Sequence, residues 1–268
     1  MKSFFAKLLS LHEGEGSRVT SLLTMGFLMG MFLATITVAS SALFLANFDE
    51  ETTLPKAFLL SGVIGLSATI SYNLLQNRIP FTVLGGLSIV MILGLTALLE
   101  FGPSFIADTK DLYFAGFTLI LPFTYILNLV FWGSFARLFN TRQSKRLLGT
   151  VDAGAMIASF VAYFSIPQIL KAVESESALY TISLISISLF ILLFLYLSSR
   201  HVHKAGNFTD ERQYYRKVSP LQFLRNRYML NMSAFVVVSM LVVTFVDYSF
   251  LNVTTIMLPE KDIARFIS

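Results

Sequence analysis

The sequence SALYTISLISISLFILLFLYLSS, residues 177–199, carries no charged side chain from end to end. A helix needs about 20 apolar residues to cross the ~30 Å hydrocarbon layer of a bilayer. The chain contains seven stretches of this kind, at residues 20–47, 56–76, 80–101, 112–138, 150–172, 177–199 and 229–257. They are too long and too continuously apolar for the ~10-residue alternating strands of a membrane barrel. The sequence therefore predicts an all-α membrane protein with seven transmembrane helices.

The composition agrees with a membrane location. Hydrophobic residues make up 55% of the chain and charged residues 13%, whereas a soluble domain typically carries about 25% charged residues. A soluble globule of 268 residues cannot hide that much apolar surface, so the lipid bilayer is an expected partner. The net charge of +4 comes from basic residues in short connections, which favours membrane topology over nucleic-acid binding.

Neither a metal, a cofactor nor an enzymatic activity is expected. The chain has no cysteine, which excludes thiolate ligands and cysteine nucleophiles. His201 and His203 have no acidic ligand near them in sequence and make a poor metal site. Phosphate-binding loops and hydrolase motifs are absent from the sequence.

The distribution of positive charge predicts the orientation of the spans. Most of the 20 lysines and arginines lie in the N-terminal segment and in the connections after the second, fourth and sixth spans. Because basic residues accumulate on the cytoplasmic side, we expect a cytoplasmic N-terminus and a seventh span that ends on the opposite side. The longest connection, residues 200–228, is then cytoplasmic. Residues 219–227 within it are predicted to form a short amphipathic helix on the membrane.

The position of the longest connection suggests how the chain is organised. Residues 1–199 form an N-terminal six-helix transmembrane half, residues 200–228 a cytoplasmic linker, and residues 229–268 the first helix of a second half. A continuation beyond residue 268 is expected. Transporters of the major facilitator type have this layout, with two six-helix halves that each contain a 3+3 inverted repeat.

Asp247 is the leading candidate for a functional residue inside the membrane. It lies in the seventh span, within VVTFVDY at residues 242–248. An ionisable group at this depth costs about 2.5–3.5 kcal/mol on insertion scales, so it usually faces a cavity or a partner. Asp247 is predicted to bind a substrate or a proton, and the structural alternative is an ion pair with Lys56 near the outer interface.

Asn128 and Trp132 lie one helical turn apart on the fourth span and form a second candidate site. A polar side chain next to an aromatic ring can hold a base or another ring. An interhelical hydrogen bond is the alternative interpretation of Asn128.

The segment RLFNTRQSKR, residues 137–146, is predicted to be a basic loop. Four cations in so short a segment would attract a phosphate-bearing ligand to the cytoplasmic entrance. Alternatively, they set the topology and contact anionic lipid heads. Asp152 is predicted at the start of the fifth span, where it either pairs with Arg142 or Arg146 to hold a gate closed or caps the helix. The candidate gate or entrance residues are therefore Arg142, Lys145, Arg146 and Asp152.

Small residues repeat along the first span. Gly26, Gly30 and Ala34 are spaced four residues apart, which places them on one face of a helix. Such a stripe lets two membrane helices approach closely. We therefore expect a packing role for these three residues.

Three stretches together resemble the ATP/ADP-carrier family, the nucleotide transporters of plastids and intracellular bacteria. The aromatic pair Phe131-Trp132 is followed by SKRL at residues 144–147 and by a glycine-containing helix start at residues 149–154. YNLLQNR at residues 72–78 is similar to the Y-x-x-L-x-N-R of the family. VDYSF at residues 246–250 is similar to its seventh span, which keeps an acidic residue before an aromatic one.

The resemblance implies a major-facilitator-type fold, a bacterial inner membrane location, and exchange (antiport) of nucleotides or other small phosphorylated anions. Asp247 takes the place of the functional acidic residue of that family, and Lys145 and Arg146 the place of its basic segment. Lys56 lies close to the position at which that family has a lysine near the start of the second span, so the resemblance makes Lys56 a further candidate for binding the substrate or a proton. Leu251, however, stands where the family usually has a lysine, and burying phosphate without a counter-charge is very costly.

Two functional hypotheses follow. In the first, the chain is part of a secondary transporter that works by alternating access, and its partner is the remaining half of the transporter. In the second, it is a transporter-like scaffold or sensor that does not transport and that anchors soluble C-terminal domains or partner subunits. The missing cation at Leu251 favours the second hypothesis.

Overall fold

The computed structural model describes residues 16–48, 50–106, 109–173, 178–202 and 226–257. In these ranges the chain forms seven long α-helices and no strand. Each helix is long and apolar enough to cross a membrane, which confirms the predicted all-α membrane class. The helices are α1 Gly16–Asn47, α2 Glu50–Gln76, α3 Phe81–Phe101, α4 Lys110–Leu138, α5 Thr141–Val173, α6 Ala178–Leu197 and α7 Arg227–Met257.

Two short elements extend the helices. A 3₁₀ turn, Gly102–Ser104, follows α3, and a π-helical turn, Ser198–Val202, follows α6. Most of the amphipathic helix that we predicted at residues 219–227 lies outside the described residues, as do residues 258–268.

α1 is the central helix of the bundle. It packs against α4, α5 and α6, and its membrane-spanning window is more buried than that of any other span. α4 is the second most buried and packs against α1, α2 and α3. α3 and α6 pack against each other. The apolar core therefore lies around α1 and α4.

The small residues of α1 bring it close to α5. A Cβ atom added to Gly30 would lie 3.0 Å from the Ser159 Oγ and 3.2 Å from the Ser159 backbone nitrogen. A Cβ on Gly26 would lie 3.4 Å from the Phe131 ring, and Ala34 is fully buried. The predicted packing role of this stripe is confirmed.

Hydroxyl groups join α1 to α6 inside the apolar core. Thr35 Oγ1 and Ser183 Oγ share a hydrogen bond of 2.7 Å, and Ser40 Oγ and Tyr180 Oη share one of 3.0 Å. Interhelical hydrogen bonds of this kind stabilise membrane helix packing by about 0.6–2 kcal/mol each. They fix the register of α6 on α1.

α7 is attached to the other helices mainly near its C-terminal end. Leu251 is buried in a cluster with phenylalanine and aliphatic side chains of α1, α2 and α4, and the Tyr248 ring lies 5.9 Å from the ring of Phe58. From Asn231 to Asp247, most side chains of α7 are exposed. The helix therefore has a packed end and an uncovered end.

The fifth helix begins earlier than the sequence analysis predicted. α5 starts at Thr141, not near residue 150, and only Phe139 and Asn140 separate it from α4. The Gln143 backbone N–H donates to Asn140 Oδ1 at 2.9 Å, and the Asn140 N–H donates to Gln143 Oε1 at 3.1 Å. This reciprocal capping box starts the helix. The predicted basic loop is therefore wrong in part, because residues 142–146 belong to the first turns of α5.

Candidate functional site

The basic residues meet at one end of the bundle, which we call the basic end. Arg18 Nη1 at the start of α1 donates to the Leu138 carbonyl at the end of α4 (3.4 Å). The Arg137 guanidinium lies 3.8 Å from the centre of the Phe81 ring at the start of α3. The residues of this end are Arg18, Arg78, Arg137, Arg142, Lys145, Arg146 and Arg200.

Three predicted gate residues lie on the first turns of α5 at this basic end. Arg142 and Lys145 are exposed, and Arg146 is half buried. The N-terminus of a helix carries a partial positive charge, which adds to the charge of these side chains. An anion approaching the start of α5 therefore meets three cationic side chains and the positive end of the helix dipole. Whether it serves as an entrance or a gate stays a prediction.

Asp152 lies about 16 Å along α5 from the helix start, with eleven residues at 1.5 Å each. The prediction that it caps the helix is therefore wrong, because Asn140 and Gln143 form the cap. Arg142 is ten residues away on the same helix, a rise of about 15 Å, and this separation disfavours the predicted pairing. Arg146 is nearer, but six residues place it about 120° away around the helix axis. The Asp152 side chain is exposed.

Asp247 is exposed and lies where the largely uncovered part of α7 ends. The Asp247 carboxylate is close enough to the Tyr163 hydroxyl to act on it electrostatically, and this hydroxyl also has a hydrogen-bond partner in Thr37. Tyr163 and Thr37 are half buried and belong to α5 and α1. A carboxylate, a phenol and a hydroxyl in apolar surroundings can hold a proton or a small cation.

Lys56 does not join this group. It is exposed in the second turn of α2, near Phe58 and the packed end of α7. Within the described ranges, no ion pair connects Lys56 to Asp247. The alternative prediction for Asp247, a structural ion pair with Lys56, is therefore wrong.

Asn128 and Trp132 lie on α4 and are half buried. Asn128 Nδ2 donates to the Thr124 carbonyl of its own helix at 2.8 Å, and not to another helix. The Trp132 ring packs edge-on against Phe131 (5.2 Å between ring centres) and Phe135 (5.7 Å). Both side chains are thus engaged within α4, and a role in binding a ring stays a prediction.

Glu100 is a membrane-embedded carboxylate that the sequence analysis did not single out. It lies one residue before the end of α3, and the Thr181 hydroxyl of α6 donates to its Oε1. Its Oε2 is buried and has no hydrogen-bond partner among the residues that the structure describes. The signal was present, since Glu100 is the charged residue in an otherwise uncharged run at residues 81–101.

Tyr72 is a second buried polar group. Its side chain is 3% exposed, and its hydroxyl has no hydrogen-bond partner within the described part of the chain. Arg137 lies close enough to act on this hydroxyl electrostatically. Tyr72 therefore adds a polar group to the buried side of the basic end.

The seven helices define a multi-pass, all-α membrane protein. No family model matches the chain, and searches of the curated proteins and of the solved structures find no match either. Membership in the ATP/ADP-carrier family, and the division at residues 199 and 228, stay predictions.

Proposed function

We propose that this chain is the membrane part of a secondary transporter that works by alternating access. The carrying observation is the arrangement of the first six helices. If α1, α2 and α3 are exchanged with α4, α5 and α6, each main packing pair maps onto another pair of packed helices or onto itself. The pair α1–α5 becomes α4–α2, and α1–α6 becomes the much smaller contact α4–α3, while α1–α4 and α3–α6 are unchanged.

This exchange relates helices of opposite direction. Successive spans alternate in direction, so α4 crosses the membrane opposite to α1. A two-fold relation of that kind is an inverted repeat, which many transporter folds use to switch access between the two sides. A membrane anchor has no need of such an arrangement.

The two equivalent interfaces also share a detail. In the α1–α5 interface, Gly30 faces Ser159 closely. In the α2–α4 interface, a Cβ on Gly65 would lie 3.0 Å from the Tyr125 ring and 3.6 Å from the Pro122 nitrogen. A glycine thus meets a neighbouring helix closely in both interfaces, although it lies on α1 in one and on α2 in the other, two helices that the exchange does not relate.

The proposed site lies between α7 and the six-helix bundle. Asp247 faces Tyr163 there and would bind a coupling proton or the substrate, while the basic end would attract an anion. The resemblance to nucleotide carriers suggests a nucleotide or another phosphorylated solute as cargo. A cytoplasmic N-terminus and a bacterial inner membrane belong to this proposal.

Transport by reconstituted protein tests the proposal. The protein expressed from its complete reading frame is placed in liposomes, and uptake of labelled ATP, ADP and sugar phosphates is measured with and without unlabelled solute inside. We expect exchange by the wild type and a loss of exchange of at least about tenfold in Asp247→Asn. A charged side chain inside the membrane costs about 2.5–3.5 kcal/mol on insertion scales, and such residues usually have a functional role. Asp111→Asn, an exposed carboxylate in the first turn of α4, is the matched control.

The result that would contradict transport of this cargo is wild-type protein that moves none of these solutes. Equal exchange by wild type and Asp247→Asn would contradict the role of Asp247 alone. The two failures are therefore distinguishable.

One observation favours the alternative, a scaffold or sensor that does not transport. Leu251 is 7% exposed and packs among phenylalanines, so the position where the resembling family usually has a lysine faces apolar side chains. The remainder of the reading frame separates the two functions. Five further spans with embedded charges favour transport, and soluble repeat or sensor domains favour the scaffold.

A further inference from the structure

A cavity of about 420 Å³ opens on the outside of the bundle at the basic end, between α3 and α6. It is lined by Thr82 of α3, by Leu195 and Tyr196 of α6, and by Ser198 and Ser199 of the π-helical turn. π-helical turns are rare and frequently occur at functional sites. The turn places Ser198 against Thr82 at the start of α3, and Ser199 lines the cavity beside it.

The polar side of the cavity offers hydrogen-bond donors. Thr82 Oγ1 and Ser198 Oγ share a hydrogen bond of 2.7 Å. Two hydroxyl groups have two protons, and their mutual bond uses one of them. The second proton can be donated to an oxygen of a ligand.

Arg200 brings a positive charge to the rim. Its Nη1 donates to Tyr196 Oη at 3.1 Å, and its guanidinium carbon lies 5.2 Å from the centre of the Tyr196 ring. A guanidinium has five N–H donors in a fixed fork that suits phosphate, and the contact with Tyr196 uses one. Tyr196 thus positions the cation beside the cavity.

An apolar surface continues from the cavity along the membrane. Val83 and Leu87 of α3 and Leu192 and Leu189 of α6 are all about half exposed or more. These side chains lie on the part of each helix that leads away from the basic end. A tyrosine and an arginine at a helix end, followed by apolar side chains, match the headgroup and acyl regions of a lipid.

We propose that this cavity binds the phosphate headgroup of an anionic phospholipid, with the acyl chains lying along α3 and α6. The shared chemistry is a phosphate anion, and the adjoining apolar surface favours a lipid over free phosphate. The site lies on the periphery of the bundle, away from Asp247, so it does not rest on the proposed transport function.

Native mass spectrometry of the delipidated full chain tests this proposal. The protein in detergent is titrated with dioleoylphosphatidylglycerol, with dioleoylphosphatidylcholine, and with inorganic phosphate. We expect the first phosphatidylglycerol to bind more tightly than the first phosphatidylcholine. Arg200→Gln should weaken phosphatidylglycerol binding about fivefold, the usual contribution of one cation near a membrane surface.

Two further variants make the result specific. Tyr196→Phe keeps the ring but removes the oxygen that holds Arg200, and it should give a smaller loss of the same kind. Arg227→Gln removes an exposed arginine at the start of α7, outside the cavity and outside the residues of the basic end, and should leave binding unchanged. The melting temperature of each variant is measured in parallel. If Arg200→Gln does not fold, the affinity of Tyr196→Phe for phosphatidylglycerol tests the site instead.

Equal affinity for the two lipids, or equal losses in Arg200→Gln and Arg227→Gln, would overturn the proposal. Displacement of phosphatidylglycerol by inorganic phosphate at a similar concentration would also overturn it, because the site would then select the free anion.

Discussion

Gly30 shows how a single residue sets the distance between two helices. The hydrogen atom that replaces a side chain lets α1 approach the backbone of α5 at Ser159. Lipid tails are as apolar as leucine, so the hydrophobic effect does not drive helices together inside a bilayer. Helix association there depends on close van der Waals contact of this kind. The loss of stability on introducing a side chain at residue 30 therefore reports how closely α1 and α5 pack.

Gly30→Leu should lower stability by about 1–3 kcal/mol, the usual cost of overpacking. The Cβ atom would already lie 3.0 Å from Ser159 Oγ, so α1 and α5 must separate. Gly62→Leu is the matched control, since no heavy atom lies within 4 Å of a Cβ there. Unfolding in mixed SDS and dodecylmaltoside micelles, followed by circular dichroism, measures both. Equal stability of the two variants would contradict the close contact.

α7 differs from the other helices in how it is held. Its last turns pack through Leu251 and Tyr248, while the preceding turns are largely uncovered. Asp247 lies at the border between the two parts. A helix held at one end can change its angle to the bundle without losing its anchor, which would vary the distance from Asp247 to Tyr163.

Leu251→Ala should loosen α7 without disturbing the other helices. Removing a buried leucine side chain costs about 2 kcal/mol or more, and here the loss falls on the contact that holds the helix. Hydrogen–deuterium exchange in nanodiscs should show faster exchange in peptides of α7 and unchanged exchange in α1 and α4. Val243→Ala, at an exposed position of the same helix, serves as control. Unchanged α7 exchange in Leu251→Ala would show that the helix is held elsewhere.

At the scale of the whole molecule, α1 and α4 form the core, and α3 and α6 pack against each other beside it. The contact between α1 and α6 joins residues far apart in sequence, such as Thr35 and Ser183. In a simple ring of six consecutive helices α1 and α6 would also be neighbours, so this contact tests the packing of α6 on α1 alone. The contacts that a simple ring would not bring together, and on which the inverted repeat rests, are α1–α4, α1–α5 and α2–α4.

A cysteine pair at Thr35 and Ser183 should form a disulfide. The two oxygens are 2.7 Å apart, a separation compatible with the ~3.5–4.5 Å between the Cβ atoms of a disulfide. The native chain has no cysteine, so any thiol signal comes from the introduced pair. Oxidation with copper phenanthroline should remove both thiols from labelling by maleimide-polyethylene glycol in denatured protein. The pair Thr35→Cys with Ser67→Cys, on the exposed face of α2, should keep both thiols. A pair at Thr35 and Ser183 that stays reduced would contradict the packing of α6 on α1.

The membrane class and the seven spans could be predicted from sequence because hydropathy over about 20 residues reports directly on bilayer crossing. The start of α5 could not, since residues 141–146 are polar and basic and the hydropathy falls there although the helix continues. The start is marked instead by the capping pair Asn140 and Gln143, a signal that hydropathy does not contain. Glu100 was missed because one carboxylate near the end of an apolar run hardly changes its mean hydropathy. The contacts between distant helices leave no periodic signal at all.

The extended start of α5 has a mechanical consequence. One unbroken helix carries Arg146 at the basic end and Tyr163 beside Asp247, about 26 Å apart at 1.5 Å per residue. If these cations were on a flexible loop, they could bind an anion without moving any residue inside the membrane. Because they are fixed to the same rod as Tyr163, any tilt of α5 that an anion causes at one end must displace the phenol at the other.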